Sequence, residues 1–338
     1  MRICLLGDFS GTPDEGMKNI SKTIRDALSA RHSVLASNSR DMFRKDCFLR
    51  LRRFAPEIVH YLHGPTIRSL MILKGVKLLL EGETKIVLSA TRPYFSKHSR
   101  WAIPFLRPDL VLTQSKRFEA FFQEKRCKVS FMPNGVDCNK FNIVSKSEKR
   151  ILRQKLSLPK DRRIVLHVGH IKLNRGLDIF KKMQQIESIQ VVIVGGTTEK
   201  SDDNIKQDLQ RSGVLIFHEY FDDISIIYKA SDLYVFPIRD TGNKLPDTYN
   251  QVGAIDLPLS VLEAMACNLP IVTTPFGALP RLFNQGGGLH YVEDDEDIIA
   301  SVKDFSYEKV CRTRKKVLPY DWEQIVGRIE AEYFQLLQ

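Results

Sequence analysis

The chain has 338 residues, 43% of them hydrophobic and 27% charged, proportions ordinary for a soluble globular protein with room for two domains. No apolar run reaches the ~18 residues of a membrane-spanning helix. The net charge of +11 is uneven: residues 1–160 carry 31 Lys and Arg against 14 Asp and Glu, and residues 161–338 carry 20 against 26. The basic N-terminal half therefore suits an anionic partner (a membrane surface, a phosphate-bearing acceptor or nucleic acid), unless the charge serves solubility alone.

In chain order, Arg2–Leu6 reads as a strand running into the loop Gly7–Gly16, and not as a signal peptide. Asn19–Ala30 has apolar residues at helical spacing, with Ile20, Ile24, Ala27 and Leu28 on one face. Strands follow at Ser33–Ala36, Glu57–Leu62 and Lys85–Ser89, with a helix over Ile67–Leu80. Leu110–Thr113 is a strand, Lys116–Glu124 a helix, and Lys128–Met132 a strand ending in the turn Pro133–Gly135. The alternation predicts a doubly wound parallel sheet.

The charged stretch Asn142–Arg163 reads as an interdomain connection with a short helix. The alternation then restarts. Strands are expected at Ile164–Val168, Gln190–Val194, Val214–Phe217, Leu233–Phe236 and Ile271–Thr274. Helices are expected at Leu177–Ile186, Ile224–Ala230, Asp297–Asp304 and Trp322–Leu337. Two Rossmann-like halves result, and such sheets bind ligands at the carboxyl ends of their strands. The expected division is an N-terminal domain over 1–150, a C-terminal domain over 151–318, and a helix over 319–338 that returns to the first.

Six cysteines, Cys4, Cys47, Cys127, Cys138, Cys267 and Cys311, are scattered without pairing or metal-ligand spacing. They read as buried thiols in a reducing cytosol. The acidic run Glu293–Asp297 reads as a solvated loop, and no metal is expected. The loop Gly11–Gly16 (GTPDEG) is not GxGxxG, so no dinucleotide cofactor is expected.

The most informative stretch is 254–272, AIDLPLSVLEAMACNLPIV. Pro258 suits a helix start, and Asp256 before it suits the positive end of the helix dipole. The helix runs from about Leu259 to Cys267, with Asn268 as its cap. Glu263 stands among Leu262, Ala264 and Met265, and a buried carboxylate is costly without donors. Ribose hydroxyls are suitable donors, and a helix N-terminus suits a diphosphate. The segment therefore reads as half of a nucleoside-diphosphate site.

SVLEAMACNLPIVTTPFGALP resembles the signature of the family 4 glycosyltransferases, enzymes of the GT-B fold. FMPNGVDCNKF (131–141), VGHIKLNRGLD (168–178), VVIVG (191–195) and IYKASDLYVFP (227–237) are similar to further motifs of that family, in the same order. The resemblance is strong over 130–338 and weak before it. It implies two Rossmann-like domains facing a cleft, and transfer of a sugar from a nucleoside-diphosphate sugar to a hydroxyl acceptor with retention of configuration. It places Glu263 on the ribose hydroxyls, and Leu257, Pro258, Leu259 and Ser260 on the loop touching diphosphate and sugar. Arg175 falls on the phosphate-binding Lys, with Gly169 as the tight turn beside it. Gly11 and Gly16 belong to a loop that in the family contacts donor phosphates or acceptor.

Three positions depart from the family pattern. Ile255 stands where the first Glu of E-x7-E is expected, with Asp256 one place along as a substitute. His170 stands for an Arg, and a histidine is only partly charged near neutrality on its reference pKa of about 6.5. Ala90-Thr91-Arg92 stands where many members carry a His, while His60 and His63 in VHYLHGP lie after the neighbouring strand, in a catalytic or a structural role. Arg175, His170 and His63 are thus the catalytic candidates; Arg175, His170 and the helix-end amides would stabilise the departing diphosphate as domain closure excludes water.

The stretch Arg40–Arg53 interleaves basic and apolar residues. It reads as an interfacial helix touching anionic lipid through Arg50, Arg52 and Arg53, or as an ordinary surface helix. Lipid contact fits a lipid-linked or glycan acceptor and a cytoplasmic protein at the inner face of a membrane. RNA binding is a third reading, without a recognisable RNA module. A protein of this fold that binds a nucleotide sugar or glycan without strong turnover is the alternative to the enzyme.

Overall fold

The computed structural model describes residues 1–10, 16–41, 44–80, 83–91, 93–196, 202–239, 255–304 and 311–338. The chain forms two units: Met1–Asn134 with Thr241–Leu257 and Trp322–Gln338, and Gly135–Asp240 with Pro258–Asp321.

The first unit alternates β1 (Arg2–Gly7), α1 (Gly16–Ser29), β2 (Ser33–Asn38), α2 (Lys45–Phe54), β3 (Ile58–Tyr61), α3 (Ile67–Leu79), β4 (Lys85–Ala90), β5 (Leu110–Thr113), α4 (Lys116–Glu124) and β6 (Val129–Phe131). A 3-10 segment, Lys97–Phe105, joins β4 to β5. The strands form one parallel sheet in the order β2-β1-β3-β4-β5-β6, with Ile3 opposite both Val34 and Ile58. Both faces are covered, so the inner strands β3 and β5 are buried along their whole length, as a parallel sheet requires.

The second unit contains α5 (Lys146–Lys155), β7 (Arg163–Val168), α6 (Asp178–Gln184), β8 (Ile189–Val194), α7 (Asp203–Arg211), β9 (Leu215–Phe217), α8 (Ser225–Ala230), β10 (Leu233–Phe236), α9 (Leu259–Ala266), β11 (Ile271–Thr273), α10 (Leu279–Leu282), β12 (Leu289–Tyr291), α11 (Asp295–Lys303) and α12 (Thr313–Val317). Its parallel sheet runs β12-β11-β10-β7-β8-β9. That is the Rossmann order, in which the chain reverses direction between β7 and β10. In the first sheet the reversal lies between β1 and β3.

The charged stretch 142–163 holds α5, whose start is a capping box between Ser145 and Glu148. Lys149 and the buried Arg153 both pair with Asp232, which also accepts from the Ile164 amide. The stretch is therefore fastened into the second unit. The acidic run 293–297 is not all loop. Asp294 caps α11 by accepting the Asp297 amide, and the acids after it occupy the first turn, where the helix dipole favours them.

The last helix, α13 (Trp322–Leu337), belongs to the first unit and buries Ile325, Val326, Ile329, Glu330 and Tyr333. Arg31 and His32 hold the Glu330 carboxylate at 2.5 and 2.8 Å. Tyr333 hydrogen-bonds His60 Nδ1 at 2.5 Å, and His60 Nε2 meets Ser89 Oγ at 2.8 Å. Burial holds the His60 pKa down to about 3. His60 is thus a satisfied core residue bridging β3, β4 and α13.

Candidate functional site

In the second unit the reversal point is built from the ends of β7 and β10. After Val168 the chain turns at Gly169, runs through His170 and the buried Ile171, and makes a 3-10 turn at Leu173–Arg175. Gly176 ends that turn at φ 65°, and a Cβ there would lie 3.1 Å from the Pro237 carbonyl oxygen. Only glycine lets the loop press onto the end of β10 in this conformation. Arg175 is buried in the loop.

His167, on β7, is wholly buried. Its Nδ1 lies 3.0 Å from the Val235 carbonyl of β10. A carbonyl only accepts, so Nδ1 carries the proton and Nε2 is a lone-pair nitrogen. Burial, and then the nearby Arg175 charge, overcome that hydrogen bond and lower the His167 pKa to about 4. A Cβ on Gly169 would lie 3.2 Å from Nε2, so the bare backbone of the turn rests on this imidazole.

His60 and His167 together make stability pH-dependent. Their folded pKa values lie below the unfolded value of about 6.5, so the unfolded chain binds more protons. Their contribution is complete above pH 6.5 and is lost as pH falls toward 4. Unfolding free energies from urea titrations between pH 7 and 5 are expected to drop, by roughly 1.4 kcal/mol per pH unit for each histidine below pH 6.5. A flat profile over that range contradicts their neutral burial.

Glu263 lies on α9, whose flanking residues Val261, Leu262, Ala264 and Met265 are all buried. The Tyr228 hydroxyl of α8 donates to Glu263 Oε2 at 2.7 Å. Burial raises the Glu263 pKa, opposed by the Tyr228 hydrogen bond and the Lys140 charge. Tyr228 stacks on Tyr234 with centroids 5.9 Å apart, and Phe141 meets it edge-on at 5.5 Å. The Tyr234 hydroxyl lies 3.4 Å from the Val168 carbonyl and hydrogen-bonds Ser260. Tyr234 also stacks on His167 at 6.3 Å. A continuous row of rings therefore joins the loop after β7 to the Glu263 helix. Pro258 is the N-cap residue of α9 and Leu259 its first helical residue. Asn268 takes the left-handed conformation just past its end, at φ 56°.

The remaining candidates lie in the first unit. Asp256 is buried and accepts from Ser115 Oγ at 2.8 Å and from Arg117 at 3.4 Å. The Leu257 carbonyl accepts from Asn134 Nδ2 at 2.8 Å. His63 follows β3, beside Asp8 at the end of β1. Burial alone would raise the Asp8 pKa; the Ser10 hydroxyl and amide outweigh it and, with Lys18 and His63 nearby, lower it. Gly16 opens α1, and Gly11 lies outside the described residues. Thr91, where the family pattern has a His, is buried and donates to the Met17 sulfur at 3.3 Å. Arg50, Arg52 and Arg53 are exposed on α2. Among the described residues no group of three or more His, Cys, Asp or Glu is placed to hold a metal ion.

Sequence reading alone did not single out Tyr228, Tyr234, Lys140 or His167. The first three stand inside matched motifs, IYKASDLYVFP and FMPNGVDCNKF. His167 carried no signal beyond its place next to Val168.

Residues 148–317 match the family described as glycosyl transferases group 1, half of the chain. The sulfoquinovosyl transferase SQD2 of Arabidopsis thaliana is 24% identical over 315 residues, covering 84% of this chain and 58% of that protein. The mannosylfructose-phosphate synthase of Agrobacterium fabrum is 26% identical over 205 residues, covering 55% and 42%. The chain thus spans about half the length of these curated relatives. Among solved structures, sucrose-phosphate synthase from Thermosynechococcus elongatus superposes with a TM-score of 0.75 at 17% identity, over 99% of this chain and 98% of that one. Anabaena HepE in complex with UDP-glucose gives 0.72 at 17% identity, over 99% and 100%. These likenesses, with the two six-stranded parallel sheets, give the chain the GT-B fold. The chain belongs to the glycosyl transferases group 1.

Proposed function

We propose that the chain is a family 4 glycosyltransferase that moves a sugar from a nucleoside-diphosphate sugar to a hydroxyl of a glycan or lipid-linked acceptor, with retention of configuration. The observation that carries this reading is Glu263. One of its oxygens is held by Tyr228, and the other has no hydrogen-bond partner among the described residues. Such a carboxylate suits a vicinal diol. In this reading Glu263 accepts from the ribose hydroxyls. The Leu259 and Ser260 amides at the start of α9, with Gly169, receive the diphosphate. Arg175 and His170 balance the charge that develops on it as the sugar leaves. No metal ion takes part.

The basic first unit receives the acceptor, with Gly11, Gly16 and His63 on that side. Its Arg50, Arg52 and Arg53 meet an anionic surface at the inner face of the membrane. The UDP-glucose bound by HepE makes UDP-sugars the first donors to test.

A second reading, a nucleotide-sugar binding protein with weak or no turnover, is favoured by one observation. Ile255 replaces the first Glu of the motif, and Asp256 beside it is engaged by Ser115 and Arg117. Thermal-shift measurements against the nucleoside diphosphates, followed by donor hydrolysis and transfer assays, separate the two. One base is expected to stand out, adding about 2.7 kcal/mol at a hundredfold excess over Kd. Turnover that Arg175→Ala removes supports the enzyme. Binding without turnover of any donor supports the second reading. No shift with any nucleotide overturns both.

A further inference from the structure

Two large aromatic side chains stand out of the first unit. Trp101 and Phe105, on the 3-10 segment, are 71% and 70% exposed and meet edge to face, with centroids 6.4 Å apart. Single exposed apolar residues are ordinary, but a cluster is not. Here the cluster is larger. The 3-10 segment packs beside α3, which turns Leu70, Leu73 and Val76 inward and leaves Met71, Leu78 and Leu79 exposed. Next to α3 lies α2: Cys47, Phe48 and Leu51 line a small cavity together with Val76.

These three segments cover one face of the sheet. Leu51, Leu73 and Ile103 share a single core cluster with Val59, Tyr61, Ile86 and Leu88. Their outer sides therefore form one layer. On α2 that layer is cationic: Arg44, Lys45, Arg50, Arg52 and Arg53 are exposed, with Asp46 the one acid in the helix.

We propose that this outer layer of α2, α3 and residues 97–105 docks on an anionic lipid bilayer, with Trp101 and Phe105 entering the headgroup boundary and the α2 arginines on lipid phosphates. Tryptophan with aliphatic side chains beside a cationic helix is the composition that lies in such an interface. Two other occupants fit less well. A second copy of the chain, paired face to face, would set like charges against each other. Single-stranded nucleic acid would meet the arginines and aromatic rings, but Met71, Leu78 and Leu79 give bases nothing to stack on. The inference does not rest on glycosyl transfer, and lipid binding is measured without a donor.

The test uses the full chain and vesicles of phosphatidylcholine alone or with 30% phosphatidylglycerol. Cosedimentation is expected with the anionic vesicles only, weakening as salt rises. Trp101 emission is expected to shift blue and to be quenched by brominated lipid. In Trp101→Phe, which leaves Trp322 as the sole tryptophan, neither change is expected. Replacing Arg50, Arg52 and Arg53 by Gln should weaken binding by about a hundredfold. Trp101→Ser with Phe105→Ser should weaken it about tenfold or more. All these side chains are exposed, so thermal midpoints should hold and the variants stay folded. Failure to bind anionic vesicles overturns the proposal, as does binding that leaves Trp101 emission unmoved. A dimer that Trp101→Ser dissolves, without vesicle binding, assigns the face to a second copy and also overturns it. Binding of single-stranded RNA in place of vesicles does the same.

Discussion

Glu263→Ala is expected to abolish stabilisation by nucleoside diphosphates and to lower kcat/KM for sugar transfer by about a hundredfold to ten-thousandfold. The magnitude follows from two charge-assisted hydrogen bonds to a ribose diol, each worth roughly 1.5–3 kcal/mol, at 1.36 kcal/mol per factor of ten. The same carboxylate burdens the empty protein. It lies in an apolar helix flank with one hydroxyl donor, from Tyr228, and its surroundings raise its pKa. An acid with a raised folded pKa binds more protons folded than unfolded, so stability falls as pH rises from the unfolded value of about 4.3 through the folded one. Glu263→Gln keeps an acceptor for Tyr228 and removes the charge. Its thermal midpoint is expected to exceed the wild type at pH 7, with the gap closing below pH 4, while nucleotide binding is lost. Calorimetry across that range, with and without nucleotide, reads both effects. A glutamine variant that is less stable at every pH and still binds nucleotide would show that Glu263 is a packing residue.

What the sequence disclosed of this fold tracks what each element needs from distant partners. The inner strands are legible because a parallel sheet buried on both faces demands nearly continuous apolar runs, such as IVLHV and VVIV. The α9 segment is legible because Pro258 and Asn268 mark its ends locally. Other elements lack a local signal. The 97–105 segment has Pro104 inside it and no helical period. The helix α7 buries only Leu209, and β12 is three residues long. Within the candidate site, Glu263 was visible as a charge among apolar neighbours. Its hydroxyl partner Tyr228 was not, because the two lie 35 residues apart. The same holds more strongly for Asp256, whose partner Ser115 is 141 residues away. His60 is decided by Tyr333, 273 residues on. A titratable side chain reads as functional in sequence until the fold supplies, or withholds, its partners.

Arg314→Ala is expected to destabilise the second unit by about 3–5 kcal/mol, because three part-buried backbone carbonyls lose a charged donor at roughly 1–3 kcal/mol each. The Arg314 guanidinium, on α12, donates to three backbone carbonyls: Cys138 at 2.9 Å, Phe141 at 2.7 Å and Ala266 at 2.5 Å. Ala266 ends α9, so its carbonyl is among the last four that a helix leaves unpaired, and a cation there also meets the negative end of the dipole. The Arg314 amide is held in turn by Asn268 Oδ1 at 3.2 Å. Alanine would strand all three carbonyls, each at roughly 1–3 kcal/mol, and lower the thermal midpoint by about 10 °C at 2–4 °C per kcal/mol. The clamp also fixes the segment that carries Lys140, whose charge acts on Glu263, and Phe141, which packs on Tyr228. Nucleotide affinity is therefore expected to fall as well, at temperatures where the variant is folded. Lysine reaches fewer of the three acceptors and should restore part of both losses. A variant with a lowered midpoint but wild-type nucleotide Kd would confine Arg314 to stability and break the link from the helix end to Glu263.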